Sequence, residues 1–213
     1  MIFFDLDGTL IDSNGVWLQV DHAFLGRRGL EVTPEYTYTV GHSIFPVAAQ
    51  FTREYYHLED SPEDIMAEWR SLAYGAYAHT ISLKPGARVL LDKLSAEGRD
   101  MALLTAGLPE LARAAVARHR LESYFRGLFF AQDVGLEKRN PEVYSIAAGR
   151  FGISPADCVL VEDAPHNCAA AKAAGFRVVG IYDDFYANQW DLVVENSHWA
   201  IKSLEELLEG AWF

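Results

Sequence analysis

The sequence predicts an α/β fold in which a doubly wound parallel sheet is interrupted, after its first strand, by an inserted helical domain. Short apolar runs without polar alternation are typical of strands buried on both faces. These runs are Ile2–Phe4, Met101–Leu104, Leu128–Ala131, Cys158–Val161 and Val178–Ile181. From residue 84 onward they alternate with helical patterns through short connections, which favours parallel strands. Residues 14–83 show helical spacing without a convincing buried strand, so we predict a core of residues 1–13 and 84–213 and a helical insertion at 14–83.

The insertion is predicted to contain helices joined by short segments. Their expected ranges are Val16–Leu25, Ile44–Tyr56 and Ile65–Ala78. The last of these has the clearest start, because Ser61 can cap it and Pro62 suits the first helical position. Pro46 has to lie in the first turn of the middle helix, where its missing N–H breaks no helical hydrogen bond. We regard the segment Tyr38–Phe45 as the candidate specificity loop.

The core is predicted to place helices between its strands. The expected ranges are Val89–Leu94, Leu108–His119 and Ala169–Ala174, with a further helix that begins at Pro141. Asn140 is a suitable cap for the helix at Pro141. Gly175 can adopt the left-handed conformation that ends the alanine-rich helix before it.

Composition and charge limit the kinds of partner that the chain is expected to bind. Half of the 213 residues are hydrophobic, which is enough for a sizeable core. The formal net charge of −12 argues against binding to a nucleic acid polymer or an anionic membrane. The sequence has no apolar run long enough to cross a membrane and no signal-peptide pattern, so we expect a cytoplasmic protein. A small molecule is the expected partner, and the oligomeric state stays open.

The strongest functional signal is the run DLDGTL at residues 5–10, directly after the first strand. Open α/β sheets place their chemistry at the carboxyl ends of strands. Asp5 and Asp7 are two residues apart, so on an extended backbone their carboxylates leave the same face and repel each other unless a cation lies between them. Mg²⁺ fits this requirement because it binds carboxylate and phosphate oxygens. The alternative is that the aspartates only close a strand and begin a turn with Gly8.

A second polar strand end follows the Met101–Leu104 run. Thr105, Ala106 and Gly107 offer a hydroxyl, a backbone N–H and a glycine just before a predicted helix. This arrangement is typical of a phosphate-binding turn. The alternative is that Thr105 is an ordinary helix N-cap.

Charged residues follow two more of the predicted strands. Lys138 lies in the loop after Leu128–Ala131, where its charge suits a phosphoryl oxygen, although a lone loop lysine is normally solvated. Glu162 and Asp163 end the Cys158–Val161 run, and we predict that Asp163 binds the metal and that Glu162 is a second candidate ligand. The alternatives are that Asp163 caps the next helix and that Glu162 is exposed to solvent.

Together these stretches resemble the motifs of the haloacid dehalogenase superfamily of phosphotransferases. The segment Asp5–Thr9 resembles its first motif, Thr105 its second and Lys138 its third, while Glu162 and Asp163 resemble its fourth. The resemblance spans nearly the whole core. A helical insertion directly after the first motif is similar to the cap of the branch that includes phosphoglycolate phosphatase-like and β-phosphoglucomutase-like enzymes.

The resemblance implies a Rossmann-like core and a role for each motif. Asp5 is the implied nucleophile that forms an aspartyl-phosphate, and Asp7 the implied acid and base that protonates the leaving alkoxide and then activates water. The implied phosphate ligands are Thr105, Ala106 and Lys138, and the implied ligands of Mg²⁺ are Asp5, the backbone carbonyl of Asp7, Asp163 and, as a candidate, Glu162.

Within this resemblance we expect hydrolysis of a small-molecule phosphate monoester. Dehalogenases lack the second aspartate and the metal, and phosphonatases need a cap lysine, whereas residues 14–83 contain no lysine. The mutase-like relatives have a cap histidine where this chain has Trp17. The alternatives are a β-phosphoglucomutase-like phosphomutase and, in another class, a non-catalytic phosphate-binding regulatory protein.

The substrate is expected to be recognised by the insertion. Its many aromatic residues occur mostly at helical spacing, which indicates packing among the helices rather than ligand contact. His42 and Arg53 are the candidate specificity residues that reach the leaving group.

Overall fold

The computed structural model describes residues 1–41, 43, 45–210 and 212. The chain divides into two compact units, of which the first comprises Met1–Asn14 together with Ile81–Phe213. The second unit is the continuous segment Gly15–Thr80. We refer to the first as the core unit and to the second as the helical unit. No helix among the described residues is both long and apolar enough to cross a membrane.

The described part of the helical unit is built from α-helices. They are α1 (Val16–Gly26), α2 (Pro34–Gly41), α3 (Phe45–Tyr55) and α4 (Pro62–His79). The Ser61 hydroxyl accepts a hydrogen bond from the Asp64 amide, and Pro62 occupies the first turn, so α4 begins as the sequence predicts. Pro46 likewise lies in the first turn of α3.

Helix α2 corrects part of the sequence prediction. The segment Tyr38–Phe45 was expected to be a loop, but α2 extends through Gly41 and Phe45 already belongs to α3. Helix α2 was missed because it is rich in Thr and Tyr, which are weak helix formers. Its start could have been recognised, since Thr33 precedes Pro34 and its hydroxyl accepts a hydrogen bond from the Tyr36 amide at 3.1 Å.

A buried polar contact joins three helices of this unit. The Tyr36 hydroxyl of α2 donates to the Asp21 carboxylate of α1 at 3.0 Å, and Thr52 of α3 donates to Tyr36 at 3.2 Å. Burial raises the pKa of Asp21 to about 6, although the Tyr36 hydrogen bond opposes this shift. Aromatic packing surrounds the contact, as in the Tyr36 and Phe51 rings, whose centroids are 6.3 Å apart.

Within the described residues, six parallel strands form one sheet in the core unit. They are β1 (Ile2–Phe4), β2 (Met101–Thr105), β3 (Leu128–Phe130), β4 (Val159–Glu162), β5 (Arg177–Ile181) and β6 (Trp199–Ile201). Their spatial order is β3-β2-β1-β4-β5-β6. Strand β1 pairs with β2 on one side and β4 on the other, so the order reverses at β1 and creates a switch point there. The predicted doubly wound α/β fold is confirmed.

Helices connect the strands of the core unit. The α-helices are α5 (Ala87–Ala96), α6 (Pro109–Arg118), α7 (Glu142–Arg150), α8 (Pro165–Ala173) and α9 (Trp190–Glu195). Short 3-10 helices occur at Glu122–Tyr124, Ala131–Val134, Pro155–Asp157, Asp184–Gln189 and Leu204–Leu208. Asn140 accepts a hydrogen bond from the Glu142 amide at the start of α7, and Gly175 follows α8 with a φ of 94°. Asn140 therefore accepts a hydrogen bond at the start of α7, and Gly175 adopts the left-handed conformation after α8, as the sequence predicts.

The apolar runs form the buried centre of this unit. Phe3 in β1 packs against Phe176 with ring centroids 5.4 Å apart and against Phe151 at 5.7 Å. The strands are buried over nearly their whole length because helices cover the sheet. The free thiols of Cys158 and Cys168 are buried in the same region, as small hydrophobic side chains are.

Candidate active site

The functional side chains lie where β1, β2 and β4 end. Asp5 follows β1, and its amide donates to the Val161 carbonyl of β4 at 3.0 Å, which extends the ladder to this point. Thr105 and Glu162 are the last residues of β2 and β4. Because these three strands are parallel and adjacent, their carboxyl ends meet at the switch point of the sheet.

Three carboxylates form a buried acid cluster at this edge. One oxygen from each of Asp5, Glu162 and Asp163 lies within 4.8 Å of the others. Lys138 joins the cluster: its Nζ lies 2.6 Å from Asp5 Oδ1 and 2.5 Å from Glu162 Oε2. The Lys138 side chain is only 2% exposed, so the loop lysine is not solvated.

The acid cluster carries more negative charge than Lys138 can neutralise. Burial raises the pKa of Asp5 to about 8, and although Lys138 opposes this shift, the charges of Glu162 and Asp7 add to it. Burial also raises the pKa of Asp163, with Glu162 and Asp5 as further causes. Burial disfavours the Lys138 ammonium, but the attraction of Asp5 and Glu162 outweighs it and raises the lysine pKa. Without a further cation, burial and mutual repulsion therefore favour the protonated forms of Asp5 and Asp163.

The donor set of the cluster fits a hard divalent cation. Mg²⁺ prefers oxygen ligands and commonly binds through one or two carboxylates together with waters and phosphate oxygens. Three buried carboxylates against one ammonium leave an excess of negative charge that such an ion would balance. The residues present are therefore compatible with Mg²⁺ as a cofactor.

Glu162 is fixed by contacts on both of its oxygens. Oε2 accepts from Lys138, and Oε1 accepts from the backbone amides of Asp163 and Ala164 at 3.2 and 3.0 Å. The alternative that Glu162 is exposed is wrong, because it lies buried at the end of β4. Its contacts indicate that Glu162 holds Lys138 in place.

Asp163 faces the first motif rather than the next helix. Its Oδ1 accepts from the Thr9 hydroxyl at 3.2 Å, and its Oδ2 accepts from the Asn14 side-chain amide at 2.8 Å. Helix α8 instead has Ala164 at its N-cap without a side-chain cap bond, so Asp163 does not cap it. Gly8 makes this approach possible: its φ is 81°, and a Cβ at this position would lie 2.3 Å from Asp163 Oδ2.

Asp7, within the first motif, approaches the turn after β2. Its Oδ1 accepts from the Ser13 hydroxyl at 2.6 Å. A Cβ on Gly107 would lie 2.9 Å from Asp7 Oδ2, so the glycine permits the turn to approach this carboxylate. Asp7 is half-buried, in contrast to the fully buried Asp5.

The turn after β2 is closed by Thr105. Its buried hydroxyl accepts a hydrogen bond from the Gly107 amide at 2.9 Å. Helix α6 begins only at Pro109 and has Leu108 at its N-cap, so Thr105 does not cap it. Ala106 at the tip is exposed, and its carbonyl accepts from Gln132 at 3.1 Å. The turn thus holds Gly107 beside Asp7 at the edge of the sheet.

The two specificity candidates stay predictions. His42 lies outside the described residues. Arg53 is exposed in the last turn of α3, in the helical unit.

A second polar group, which the sequence motifs do not include, lies beside the acid cluster. Asn14 also contacts Asp183, which follows β5, and Asp183 in turn contacts Lys84. Asp183 could have been found, because it follows a predicted strand as the other acids do. Tyr186, on the segment after β5, is a further neighbour, since the carboxylates of Asp163, Glu162 and Asp5 add to the effect of burial in raising its pKa.

The structure defines an α/β protein with a buried acid cluster at the carboxyl end of its sheet, and comparison with known proteins specifies the family. A family model of haloacid dehalogenase-like hydrolases matches residues 1–175. The chain therefore belongs to the haloacid dehalogenase-like hydrolase family, as the motifs predict. The match includes every motif residue from Asp5 to Asp163 and stops before Asp183.

Individual proteins similar to this chain agree with that assignment. Hexitol phosphatase A of Escherichia coli is 32% identical over 200 residues, which cover 91% of this chain and 89% of that protein. A probable pseudouridine-5'-phosphatase of Drosophila melanogaster is 30% identical and covers 84% of this chain and 80% of its own length. The crystal structure of a putative β-phosphoglucomutase from Thermotoga maritima superposes with a TM-score of 0.85 at 23% identity, covering 97% of this chain and 95% of that one, and is similar in fold.

Proposed function

We propose that this protein is a Mg²⁺-dependent phosphatase that hydrolyses a small-molecule phosphate monoester through an aspartyl-phosphate on Asp5. The observation that carries the proposal is the contact of Asp5 with Lys138 inside the buried acid cluster. This contact supports the proposal because it brings the candidate nucleophile Asp5, a buried positive charge and carboxylate oxygens close together. Relatives that act on phosphorylated compounds by name support the same class of reaction.

In the first half of the reaction, Asp5 is the nucleophile. A carboxylate oxygen of Asp5 forms a bond to phosphorus, and the bond from phosphorus to the ester oxygen breaks. Asp7 gives its proton to the leaving oxygen, and its position beside Gly107 and Ser13 suits this transfer. The alcohol then leaves with that proton.

In the second half, water removes the phosphoryl group from Asp5. Asp7, now a carboxylate, accepts a proton from the water as its oxygen bonds to phosphorus. The bond between phosphorus and Asp5 breaks, and inorganic phosphate leaves. This scheme returns both aspartates to their starting states.

The remaining residues bind the phosphoryl group and balance its charge. Lys138 and the amide of Ala106 in the turn closed by Thr105 are the proposed contacts of the phosphoryl oxygens. Asp5, the Asp7 carbonyl and Asp163 would hold Mg²⁺, which would supply neutralisation of the negative charge on the carboxylates and the phosphate. Glu162 supports this arrangement through Lys138, and in this proposal it is a positioning residue more than a metal ligand.

The helical unit is the proposed cap that selects the leaving group. Its place directly after the first motif and its aromatic content suit a ring-bearing or polyol substrate. Two relatives are named as a hexitol phosphatase and a probable pseudouridine-5'-phosphatase. His42 and Arg53 are the proposed specificity residues. Single alanine substitutions at these positions are expected to change which phosphate esters are preferred, without abolishing hydrolysis.

The test is Mg²⁺-dependent phosphate release from a panel of sugar phosphates, polyol phosphates, nucleotides and phospho-acids. The wild-type protein is compared with Asp5→Asn and with Asp12→Asn, an exposed acid in the same segment that serves as the matched control. Release that disappears with chelator and in Asp5→Asn, but persists in Asp12→Asn, supports the proposal. No release from a folded protein that binds Mg²⁺ would contradict it, and phosphoryl transfer to a sugar phosphate instead of water would indicate a mutase.

A further inference from the structure

Asn14, Asp183 and Lys84 form a hydrogen-bonded chain that ends on Asp163, and we call these three residues the outer triad. Asn14 Nδ2 lies 2.8 Å from Asp163 Oδ2 and 3.1 Å from Asp183 Oδ1. Since the amide nitrogen carries two hydrogens, it can donate one to each carboxylate. Lys84 Nζ lies 2.5 Å from Asp183 Oδ2. The contacts thus run from Lys84 through Asp183 and Asn14 to Asp163.

Asp183 is the rigid centre of the outer triad. Its side chain is 5% exposed, and it accepts hydrogen bonds from Lys84, from Asn14 and from the Phe185 amide at 2.9 Å. Burial alone would raise its pKa, but these donors outweigh burial and lower it, so Asp183 is ionised at neutral pH. Because Asp183 is ionised and accepts hydrogen bonds from three donors, it fixes the side chain of Asn14 in one orientation.

The outer triad orients Asp163 without neutralising it. Asp163 accepts one hydrogen bond on each oxygen, from the hydroxyl of Thr9 and from the amide of Asn14, and both donors are uncharged. The positive charge of Lys84 is placed one step away, on Asp183. The carboxylate plane of Asp163 is therefore held from two sides by uncharged donors.

The segments that carry the outer triad are themselves attached to the first motif. The Lys84 amide donates to the Leu10 carbonyl at 2.9 Å, and the Asp12 amide donates to the Ser82 carbonyl at 3.0 Å. Asn14 is the last residue of the first segment of the core unit, and Ile81 begins the second. The backbone contacts thus hold Asn14 and Lys84 in register with each other.

We propose that Asp183 and Lys84 are positioning residues which, through Asn14, hold the Asp163 carboxylate in the orientation that binds the divalent metal. This inference rests on the proposed function, because it takes Asp163 as a metal ligand. Partners in the outer shell of a metal site commonly change metal affinity by about 10- to 100-fold when they are removed. Asp183 lies outside the residues that match the family, so the family motifs do not include it.

The first test measures metal binding without turnover. Binding of Mn²⁺ to the metal-free protein is followed through the electron paramagnetic resonance signal of the free ion, with Mg²⁺ as competitor. Asp183→Asn is expected to weaken binding by roughly ten-fold. Asp184→Asn removes the same charge from the exposed neighbouring residue and is expected to leave binding unchanged. Equal affinity in Asp183→Asn and the wild type would overturn the inference.

A double-mutant cycle tests whether Asp183 acts through Asn14. Asn14→Ala is expected to weaken Mn²⁺ binding at least as much as Asp183→Asn, and the double variant is expected to show no further loss. Losses that add in the double variant would contradict the proposed order of contacts. The measurements are made well below the unfolding temperature of each variant, so that a lower stability alone does not change the affinity.

The design separates this inference from the proposed function. Absence of Mn²⁺ binding in the wild type would remove the proposed metal site itself, whereas unchanged binding in Asp183→Asn would remove only the positioning role. Should Asp183→Asn not fold, Lys84→Gln breaks the same ion pair at a less buried side chain, 16% exposed. It is expected to weaken Mn²⁺ binding several-fold, and full affinity would overturn the inference.

Discussion

Lys138 Nζ lies 2.6 Å from Asp5 Oδ1, and this contact joins residues from opposite halves of the core unit at the end of β1. Lys138 is the cation of the buried acid cluster, and it is fixed on its other side by Glu162. Removal of one partner from a buried ion pair leaves the other charge buried without compensation, so we expect Lys138 to matter for stability as well as for the proposed chemistry.

Replacement of Lys138 by methionine is expected to destabilise the metal-free protein. The change leaves Asp5 and Glu162 buried without their partner, so we expect the free energy of unfolding to fall by about 3 kcal/mol. Added Mg²⁺ is expected to recover part of this loss. Urea unfolding with and without Mg²⁺ measures both effects, and Lys172→Met, which removes a surface contact to the Glu195 carbonyl, is the matched control. Equal losses in the two variants would contradict the account.

The stability of the metal-free protein is expected to fall as the pH rises. The folded protein raises the pKa of Asp5 from 3.8 to about 8, so between these values the folded state holds a proton that the unfolded chain has released. Stability from this group is complete below about pH 4 and is lost as the pH rises through about 8, at up to about 1.4 kcal/mol per pH unit. The pKa of Asp163 is also raised by burial, so this group contributes to stability with the same dependence on pH.

Thermal unfolding from about pH 6 to about pH 8 tests this dependence. The unfolding temperature of the metal-free wild type is expected to decrease over this range, and Asp5→Asn is expected to decrease less because it cannot titrate. Since the metal competes with the proton, Mg²⁺ is expected to stabilise the protein more at the higher pH. A wild-type curve parallel to that of Asp5→Asn would show that Asp5 has an ordinary pKa.

Substitution of Gly8 by alanine is expected to disturb the acid cluster. The φ of 81° costs about 1–2 kcal/mol for an L-residue, and the new Cβ would also collide with Asp163. Gly98→Ala is the matched control, since Gly98 has a φ of 69° and nothing within 4 Å of a Cβ. We expect a larger loss of stability and weaker Mn²⁺ binding in Gly8→Ala, measured by thermal unfolding and metal titration. Equal effects would remove the steric argument.

Replacement of Thr105 by valine is expected to weaken phosphate binding. Valine keeps the shape of the side chain but cannot accept the Gly107 hydrogen bond, so the turn that presents Ala106 loses its closing contact. We expect a loss of about 1 kcal/mol in stability and a rise in both KM and the inhibition constant of inorganic phosphate. Thr105→Ser, which keeps the hydroxyl, is expected to restore both constants. A valine variant with unchanged constants would argue against this role.

The strand ends could be predicted because their signal is local. Asp5, Thr105 and Asp163 each follow an apolar run, and a parallel sheet brings such ends together whatever the details of packing. The position of Glu162 required the structure, because its burial and its contact with Lys138 depend on the register of β4 and on a loop 24 residues away.

The contacts within the outer triad and the extent of α2 could not be predicted with the same rules, although the position of Asp183 and the cap of α2 have local signals. The contacts of Asn14 with Asp163 and Asp183 join residues 149 and 169 positions apart, and they depend on where the chain leaves the sheet after β5. Helix α2 has little apolar periodicity and is held by the Thr33 cap and the buried Tyr36 contact. In both cases tertiary contacts, not local propensity, decide the structure.

Chemical trapping of the proposed intermediate tests the central claim most directly. The protein is incubated with Mg²⁺ and para-nitrophenyl phosphate, quenched in acid and treated with borohydride, which reduces an acyl phosphate to an alcohol, and the peptides are analysed by mass spectrometry. The account predicts that the N-terminal peptide carries the reduced residue at position 5, where Asp5 would become homoserine. Phosphate release without modification at Asp5, or with modification of a different residue, would contradict the account.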